Sequence, residues 1–218
     1  MLKILKGQDD ITKGLILLEE NGNASSLPFV LHYLSAASTS NQKVLLVTSK
    51  LTETNYKLIC SKAGIRWNPA QVSFIEFLRP FESFDVTADQ MMEDVLRKVS
   101  DSCSSIVLFD DLSILEQFGA TTVEVSVFVH EIYTQIKISS PTSALLVSPF
   151  SKPSGALDLL RARCHVYAEI SPVGHGFGKD ASIKVVLNIR SPLAAVSKKG
   201  ILLSGERTIS GTWMSVDQ

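Results

Sequence analysis

Short apolar runs recur along the chain and predict the strands of a β-sheet. The first run, GLILLE, is continuously apolar, which is typical of a strand that is buried on both faces. Further runs share this character, and the last stretch has the pattern of a hairpin. The predicted strands cover residues 14–19, 43–48, 72–78, 105–110, 144–148, 165–170 and 183–190, followed by a hairpin over 200–213.

Helical segments alternate with these runs. Thr52 has the position of an N-cap, and Thr87 and Gln90 match a capping box in front of apolar residues at helical spacing. Ser26 as N-cap and Pro28 in the first turn suit the start of the first helix. The predicted helices cover residues 28–38, 52–63, 87–99, 122–138 and 154–163.

The segment 122–138 fits two periodicities. Its valines alternate as in a strand, whereas a second set of apolar side chains forms a helical stripe. The members of that stripe are Val125, Phe128, Val129, Ile132 and Ile136. The length of the segment favours a helix, because strands rarely extend so far.

This order of elements predicts an α/β fold with a mostly parallel sheet, covered by helices on both faces. The last strands follow one another without helices, which predicts an antiparallel edge. No internal repeat, low-complexity tract or linker interrupts the sequence. We therefore expect one domain over residues 1–218.

Composition and charge exclude several classes of protein. The 218 residues are 45% hydrophobic and 20% charged, the balance of a folded domain. The net charge of -1 argues against a strong autonomous nucleic-acid binder, since phosphate neutralisation needs clustered cations. No apolar stretch has the length of a membrane span or the form of a secretory signal. We expect a cytoplasmic, or also nuclear, protein that contacts no membrane.

Cysteine and histidine spacing predicts no metal site. Cys60, Cys103 and Cys164 lie far apart and include no C-x-x-C pair, so we expect no zinc binding. An odd, sparse set of cysteines also predicts a protein of a reducing compartment. The four histidines share no ligand spacing either.

The loop after the first strand is the place where a nucleotide-binding protein carries G-x-x-x-x-G-K-[ST]. Here residues 20–26 contain one glycine, Gly22, and no lysine, and Glu19 and Glu20 at its start would repel a polyphosphate. Ser25 and Ser26 stand where a magnesium-binding hydroxyl is found, although helix capping explains them better.

The run IVLFDD over 106–111 has the form of a Walker B strand, in which Asp110 would help to hold Mg²⁺. The pattern is weak, and Asp110 and Asp111 are better explained as residues that cap or order the following turn. A catalytic glutamate is also missing at the end of the second strand, which carries no carboxylate before Glu53. We therefore expect no catalytic residue and no bound cofactor.

Basic residues are sparse. Lys179 follows the glycine-rich segment 174–178, which we interpret as a flexible hairpin. Lys198, Lys199 and Arg207 form the best basic cluster near the end of the chain. A solvated turn explains the lysine pair better than phosphate contact does.

Several segments together carry a resemblance. The strand and loop IVLFDDLSIL (106–115), continuing through Gly119 to a helix with Phe128 and His130, give the most specific match. The segment GFGKD (176–180) before the strand 183–190 is a second match, and similarity from the first strand through HYLSA (32–36) is weaker. In these features the chain resembles the sixth subunit of the Elongator complex, one of its three RecA-like accessory subunits.

The resemblance implies a RecA-like fold without a Walker A motif and a heterohexameric ring with the other two accessory subunits. It also implies tRNA binding by the ring, in support of the catalytic Elongator subcomplex that modifies wobble uridines. No catalytic residue is carried over by the matched segments. Two alternatives stay open: an active RecA- or KaiC-type ATPase with a divergent loop, and a scaffold like the RecA paralogues of DNA repair.

Overall fold

A single sheet contains the nine strands that are found in the described part of the chain. The computed structural model describes residues 12–77, 86–151, 154–173, 181–190, 195–204 and 209–215. The strands are β1 (Gly14–Glu20), β2 (Val44–Thr48), β3 (Val72–Glu76), β4 (Ile106–Phe109), β5 (Leu145–Phe150), β6 (Val166–Pro172), β7 (Ala181–Arg190), β8 (Ala195–Ser204) and β9 (Ile209–Ser215).

The strand order is β3-β2-β4-β5-β1-β6-β7-β8-β9, and β1 lies in the middle of it. The pairs from β3 to β6 are parallel, whereas β7, β8 and β9 pair in antiparallel fashion. This confirms the predicted mostly parallel sheet with an antiparallel C-terminal edge. Because β1, β2, β4 and β5 are parallel, their carboxyl ends meet at one edge of the sheet, where ligands bind in open α/β folds.

Helices connect the parallel strands. They are α1 (Leu27–Ser40), α2 (Glu53–Lys62), α3 (Ala88–Ser102), α4 (Ser113–Gln117), α5 (Thr122–Ser139) and α6 (Gly155–Arg161). Thr52 caps α2 and Thr87 forms the predicted capping box with Gln90. A second box, made by Thr121 and Glu124, begins α5. The short helix α4 was not predicted, because five residues are too few to show a helical period.

Both faces of the parallel part of the sheet are covered, as the apolar strands predict. Ile16 and Leu18 of β1 belong to the cluster beneath α1 and α2, whereas Leu15 and Leu17 belong to the cluster beneath α3 to α6. Successive residues of a strand point to opposite faces, so a strand buried on both sides must be apolar throughout.

The doubtful segment is helix α5, so the prediction from length is confirmed. Val125 and Val129 are buried against the sheet, and they belong to the helical stripe. Val123 and Val127 lie on the opposite side of the helix and are exposed. The alternation of valines therefore does not indicate a strand. It arises because valines occupy both the buried face and the exposed face of a helix.

Candidate functional site

Three strand ends bring charged side chains together at the carboxyl edge of the sheet. Glu20 is the last residue of β1, Lys50 follows β2, and Asp110 and Asp111 follow β4. The three carboxylates are buried, whereas the lysine side chain is half-buried. This is the place where a RecA-like protein would bind the phosphates of a nucleotide.

The Glu20 carboxylate lies at the N-terminus of α1. One oxygen, Oε1, accepts a hydrogen bond of 2.6 Å from the backbone N–H of Ser26, and Oε2 accepts one of 2.7 Å from Lys50 Nζ. A helix N-terminus presents free N–H groups and a partial positive charge, which together favour an anion. The Glu20 carboxylate thus lies at a helix N-terminus, the kind of position at which a phosphate-binding loop holds its phosphate.

The contact between Glu20 and Ser26 corrects the prediction for the serine. Ser26 does occupy the N-cap position, but its hydroxyl makes no capping hydrogen bond. Ser25 Oγ instead accepts a hydrogen bond of 3.2 Å from Leu27 N. The reason is physical: Ser26 has helical backbone angles, φ -76° and ψ -6°, whereas a capping serine normally has an extended conformation that turns its hydroxyl toward the helix N–H groups.

Lys50 connects the carboxylates. Its ammonium group lies 2.7 Å from Glu20 Oε2 and 3.5 Å from Asp111 Oδ2. Burial alone would lower the pKa of Lys50, but the hydrogen bond with Glu20 and the charges of Asp111, Glu20 and Asp110 outweigh it and raise the pKa above its ordinary value. Lys50 is therefore charged at neutral pH and already paired.

Asp110, the Walker B-like residue, holds the turn between β2 and α2. Its carboxylate accepts hydrogen bonds from the backbone N–H of Ser49 at 2.7 Å and of Lys50 at 3.1 Å. The hydroxyls of Thr48, Ser49 and, at 3.4 Å, Tyr56 also donate to it. Asp110 was expected to order the turn that follows it, and it orders instead a turn about sixty residues earlier in the chain.

Asp111 behaves as the sequence predicts. Its Oδ1 accepts hydrogen bonds of 2.9 Å from Ser113 N and 2.5 Å from Ser113 Oγ, which fixes the start of α4. Both the N–H and the hydroxyl of Ser151, just after β5, also donate to this carboxylate. The carboxylates of both aspartates therefore accept several hydrogen bonds from the protein itself.

Glu19 leaves the site altogether. Its side chain lies on the other face of the sheet, where it accepts a hydrogen bond from the hydroxyl of Tyr167 and pairs with Arg161 at 2.5 Å. The guanidinium of Arg161 also stacks over the ring of Tyr167 at 4.3 Å. Of the two acidic residues at the start of the loop, only Glu20 lies at the site.

A shallow cavity of about 200 Å³ remains beside these side chains. It is lined by the loop between β1 and α1 (residues 21–26, here the α1 loop), the β2–α2 turn and Tyr56. Cavities that enclose organic ligands occupy about 300–1,000 Å³. Burial, together with Asp110, raises the pKa of Tyr56, so its hydroxyl stays protonated and donates to that aspartate. An anion, Glu20, and its paired cation, Lys50, thus lie beside this cavity at the N-terminus of α1.

Two of the basic residues that were singled out, Lys198 and Lys199, are placed away from this site. Lys198 and Lys199 lie within β8, so their interpretation as a turn is wrong. They pair with Leu187 and Val186 of β7, on the antiparallel side of the sheet. The segment 174–180 with Lys179, and also Arg207, lie outside the described residues. β6 and β7, which precede and follow that segment, pair in antiparallel fashion.

Cysteines and metal ligands give no second site. Cys60 and Cys164 are buried and Cys103 is exposed. Burial raises the pKa of Cys60 to about 11, so its thiol stays protonated and is a poor nucleophile or metal ligand at neutral pH. No group of three metal-binding side chains comes together among the residues that the structure describes. Within the same residues, no helix has the length and apolar character needed to span a bilayer.

Comparison with known proteins identifies the fold. No protein-family model matches the chain, and no curated protein matches its sequence significantly. The solved structure of a KaiC-like protein from the hyperthermophilic archaeon Pyrococcus horikoshii is similar, with a TM-score of 0.70 over 94% of this chain and 95% of that protein. The two sequences are only 10% identical, so the likeness shows the fold alone. The predicted RecA-like fold is thereby confirmed.

Lys50, Tyr56 and the β2–α2 turn were missed in the sequence. The α1 loop itself lacks lysine, and nothing in the local pattern indicates that the lysine after β2 reaches Glu20. A usable signal was the triplet Thr48-Ser49-Lys50, polar residues directly after a buried strand, which belong at the ligand-binding edge of a parallel sheet.

Proposed function

We propose that this chain is a non-catalytic RecA-like subunit, and that it serves in the hexameric accessory ring of the Elongator complex. The observation that carries the first part is the Glu20–Lys50 pair at the N-terminus of α1. The second part rests on the sequence resemblance around IVLFDDLSIL and GFGKD.

Catalysis of phosphoryl transfer depends on positioning and on cations that are directed at the phosphates. Among the described residues, the cation that lines this site, Lys50, is paired with Glu20 and Asp111. The Walker B-like Asp110 accepts several protein hydrogen bonds and would have to lose them to bind magnesium. Each element that would act on a nucleotide therefore acts on the protein itself.

The purified chain is expected to hydrolyse no ATP above background with Mg²⁺ present. The measurement is phosphate release by the wild type and by Asp110→Asn, run beside an active RecA-type ATPase. Equal, background-level rates in both proteins are the expected result. Magnesium-dependent turnover that Asp110→Asn abolishes would instead support a KaiC-type ATPase and would contradict the proposal.

Ring assembly would supply the additional cationic contacts that tRNA binding needs and that one copy of the chain lacks. The net charge of the chain is -1, and each phosphate contact adds only one salt-dependent increment to affinity. Several subunits around one tRNA multiply such contacts, and the later contacts form at high effective concentration. Lys179, Lys198, Lys199 and Arg207 are the residues of this chain that we propose for the tRNA path.

Transfer-RNA affinity is therefore expected only with the other two accessory subunits present, and it is expected to fall steeply with salt. Filter binding of tRNA at two salt concentrations compares the lone chain with the co-expressed ring. A ring with Lys198→Ala and Lys199→Ala should show a smaller salt slope. Equal tRNA affinity of the lone chain and the ring would contradict the role of assembly, and preference for DNA would favour the repair scaffold.

A further inference from the structure

The outer face of α5 carries apolar side chains that the fold does not use. Val123 and Val127 are 62% and 57% exposed, and Leu159 of α6 beside them is 51% exposed. Valine is a poor helix former, so an exposed valine in a helix contributes little to local stability. Two valines one turn apart on the outer face of a helix therefore indicate a contact with something outside the chain.

This valine ridge (Val123 and Val127) separates two grooves. The groove between α3 and α5, here the α3–α5 groove, has a cavity of about 380 Å³ and is lined by Met92, Leu96 and Phe128. The groove between α5 and α6 has a cavity of about 270 Å³. Methionine suits such a surface because its flexible, polarisable side chain adapts to a partner.

The charge of its lining residues distinguishes the α3–α5 groove from an ordinary apolar patch. Its charged lining residues are all acidic, and we call them the acidic rim. The acidic rim consists of Asp89, Glu93, Glu124 and Glu131. Within the described residues Asp89, Glu93 and Glu131 form no salt bridge. Glu124 accepts hydrogen bonds from Thr121, which lower its pKa, so it too is negative at neutral pH.

We propose that the α3–α5 groove docks an amphipathic helix of a partner protein that carries lysine or arginine beside its apolar face. The apolar side chains of such a helix would pack on Met92, Leu96 and the valine ridge, in the helix-in-groove mode. Its cations would meet the acidic rim, which supplies orientation and specificity. This surface is separate from the Glu20–Lys50 site, so the inference does not depend on the proposed function.

A second copy of the chain fits this surface less well. It would bring its own acidic rim to the contact, and the two grooves together offer only Arg163 and His130 as basic residues. Four carboxylates per copy would therefore remain largely unneutralised, and desolvated like charges oppose association. A cationic helix removes that cost.

Two helical peptides of the same 18-residue length as α5 test the proposal with the full chain. One has leucines on one face and lysines beside them, and the other replaces each lysine with glutamate. The wild type is expected to bind the leucine–lysine peptide, with an affinity that falls as salt rises, and to bind the leucine–glutamate peptide at least about tenfold more weakly.

Substitutions then locate the contact. Val123→Ser with Val127→Ser is expected to weaken binding about tenfold, and Glu93→Gln with Glu131→Gln about threefold with a smaller salt dependence. The matched controls, Ile138→Ser at the far end of α5 and Asp101→Asn at the end of α3, are exposed residues outside both grooves and should bind as the wild type does.

The charge-reversed variant makes the test independent of any loss of stability. Glu93→Lys with Glu131→Lys should prefer the leucine–glutamate peptide, which a damaged fold cannot produce. Equal affinity of the wild type for both peptides, or unchanged binding after the valine substitutions, would overturn the proposal. Self-association of the chain would also overturn the proposal if the valine substitutions abolish it and the leucine–lysine peptide does not inhibit it. The surface would then be a contact between two copies of the chain.

Discussion

Replacing Asp110 with alanine is expected to lower the free energy of unfolding by about 3–5 kcal/mol. Asp110 is only 5% exposed and it is the common acceptor for the turn between β2 and α2. Without its carboxylate, the N–H groups of Ser49 and Lys50 and the hydroxyl of Tyr56 lose an acceptor in the protein interior. A buried donor without an acceptor costs about 1–3 kcal/mol, and several are affected at once.

Urea unfolding at neutral pH measures this effect through the midpoint and the slope of the transition. Asp110→Asn should be less severe, because one amide oxygen still accepts from the turn. Asp101→Ala at the exposed end of α3 is the control and should stay within about 0.5 kcal/mol of the wild type. A small effect of Asp110→Ala, with no change in slope, would mean that Asp110 does not hold this turn.

Much of the fold could be predicted because it depends on local patterns. Continuous apolar runs identified β1 and β4 as strands buried on both faces, and the Thr87–Gln90 capping box located the start of α3. Length alone resolved α5, since its valines satisfy a strand period as well as a helical one. In each case the deciding interactions lie within a few residues of one another along the chain.

The site was less predictable because its contacts are long-range. Lys50 and Glu20 are thirty residues apart, and their strands are separated in the sheet by β4 and β5. Only the order of the strands shows that the two side chains can meet. The contacts of Asp110 are long-range as well. Its sequence neighbours suggest that it caps the next turn, whereas its hydrogen-bond donors lie in the turn after β2. The absence of lysine from the loop and the acidic residues at its start were visible in the sequence, but the pairing of Glu20 with Lys50 was not.

A general consequence concerns the loop between β1 and α1. Without a ligand, the start of α1 would present free N–H groups, and buried donors of this kind need an acceptor. Glu20 supplies that acceptor from the end of β1, and Lys50 balances its charge. The N–H of Ser26 thus has an acceptor within the protein itself.

Glu20→Ala is expected to lower the free energy of unfolding by about 2 kcal/mol and to create a response to inorganic phosphate. Ser26 N–H loses its acceptor, and Lys50 keeps only the longer contact of 3.5 Å with Asp111. The N–H group and the ammonium then face a vacated volume at a helix N-terminus, which suits an oxyanion. Part of the lost stability should therefore return when phosphate binds the folded state.

Thermal unfolding in phosphate and in chloride at equal ionic strength measures that response. Glu20→Gln is the matched control, because its amide fills the same volume and still accepts from Ser26 N–H, so it should respond to phosphate no more than the wild type. Adding Lys50→Ala to Glu20→Ala should remove the response, since the cation that would pair with phosphate is gone. A phosphate response of equal size in the wild type would show that Glu20 does not occupy the anion position. A response in Glu20→Ala that persists without Lys50 would show that the anion binds elsewhere.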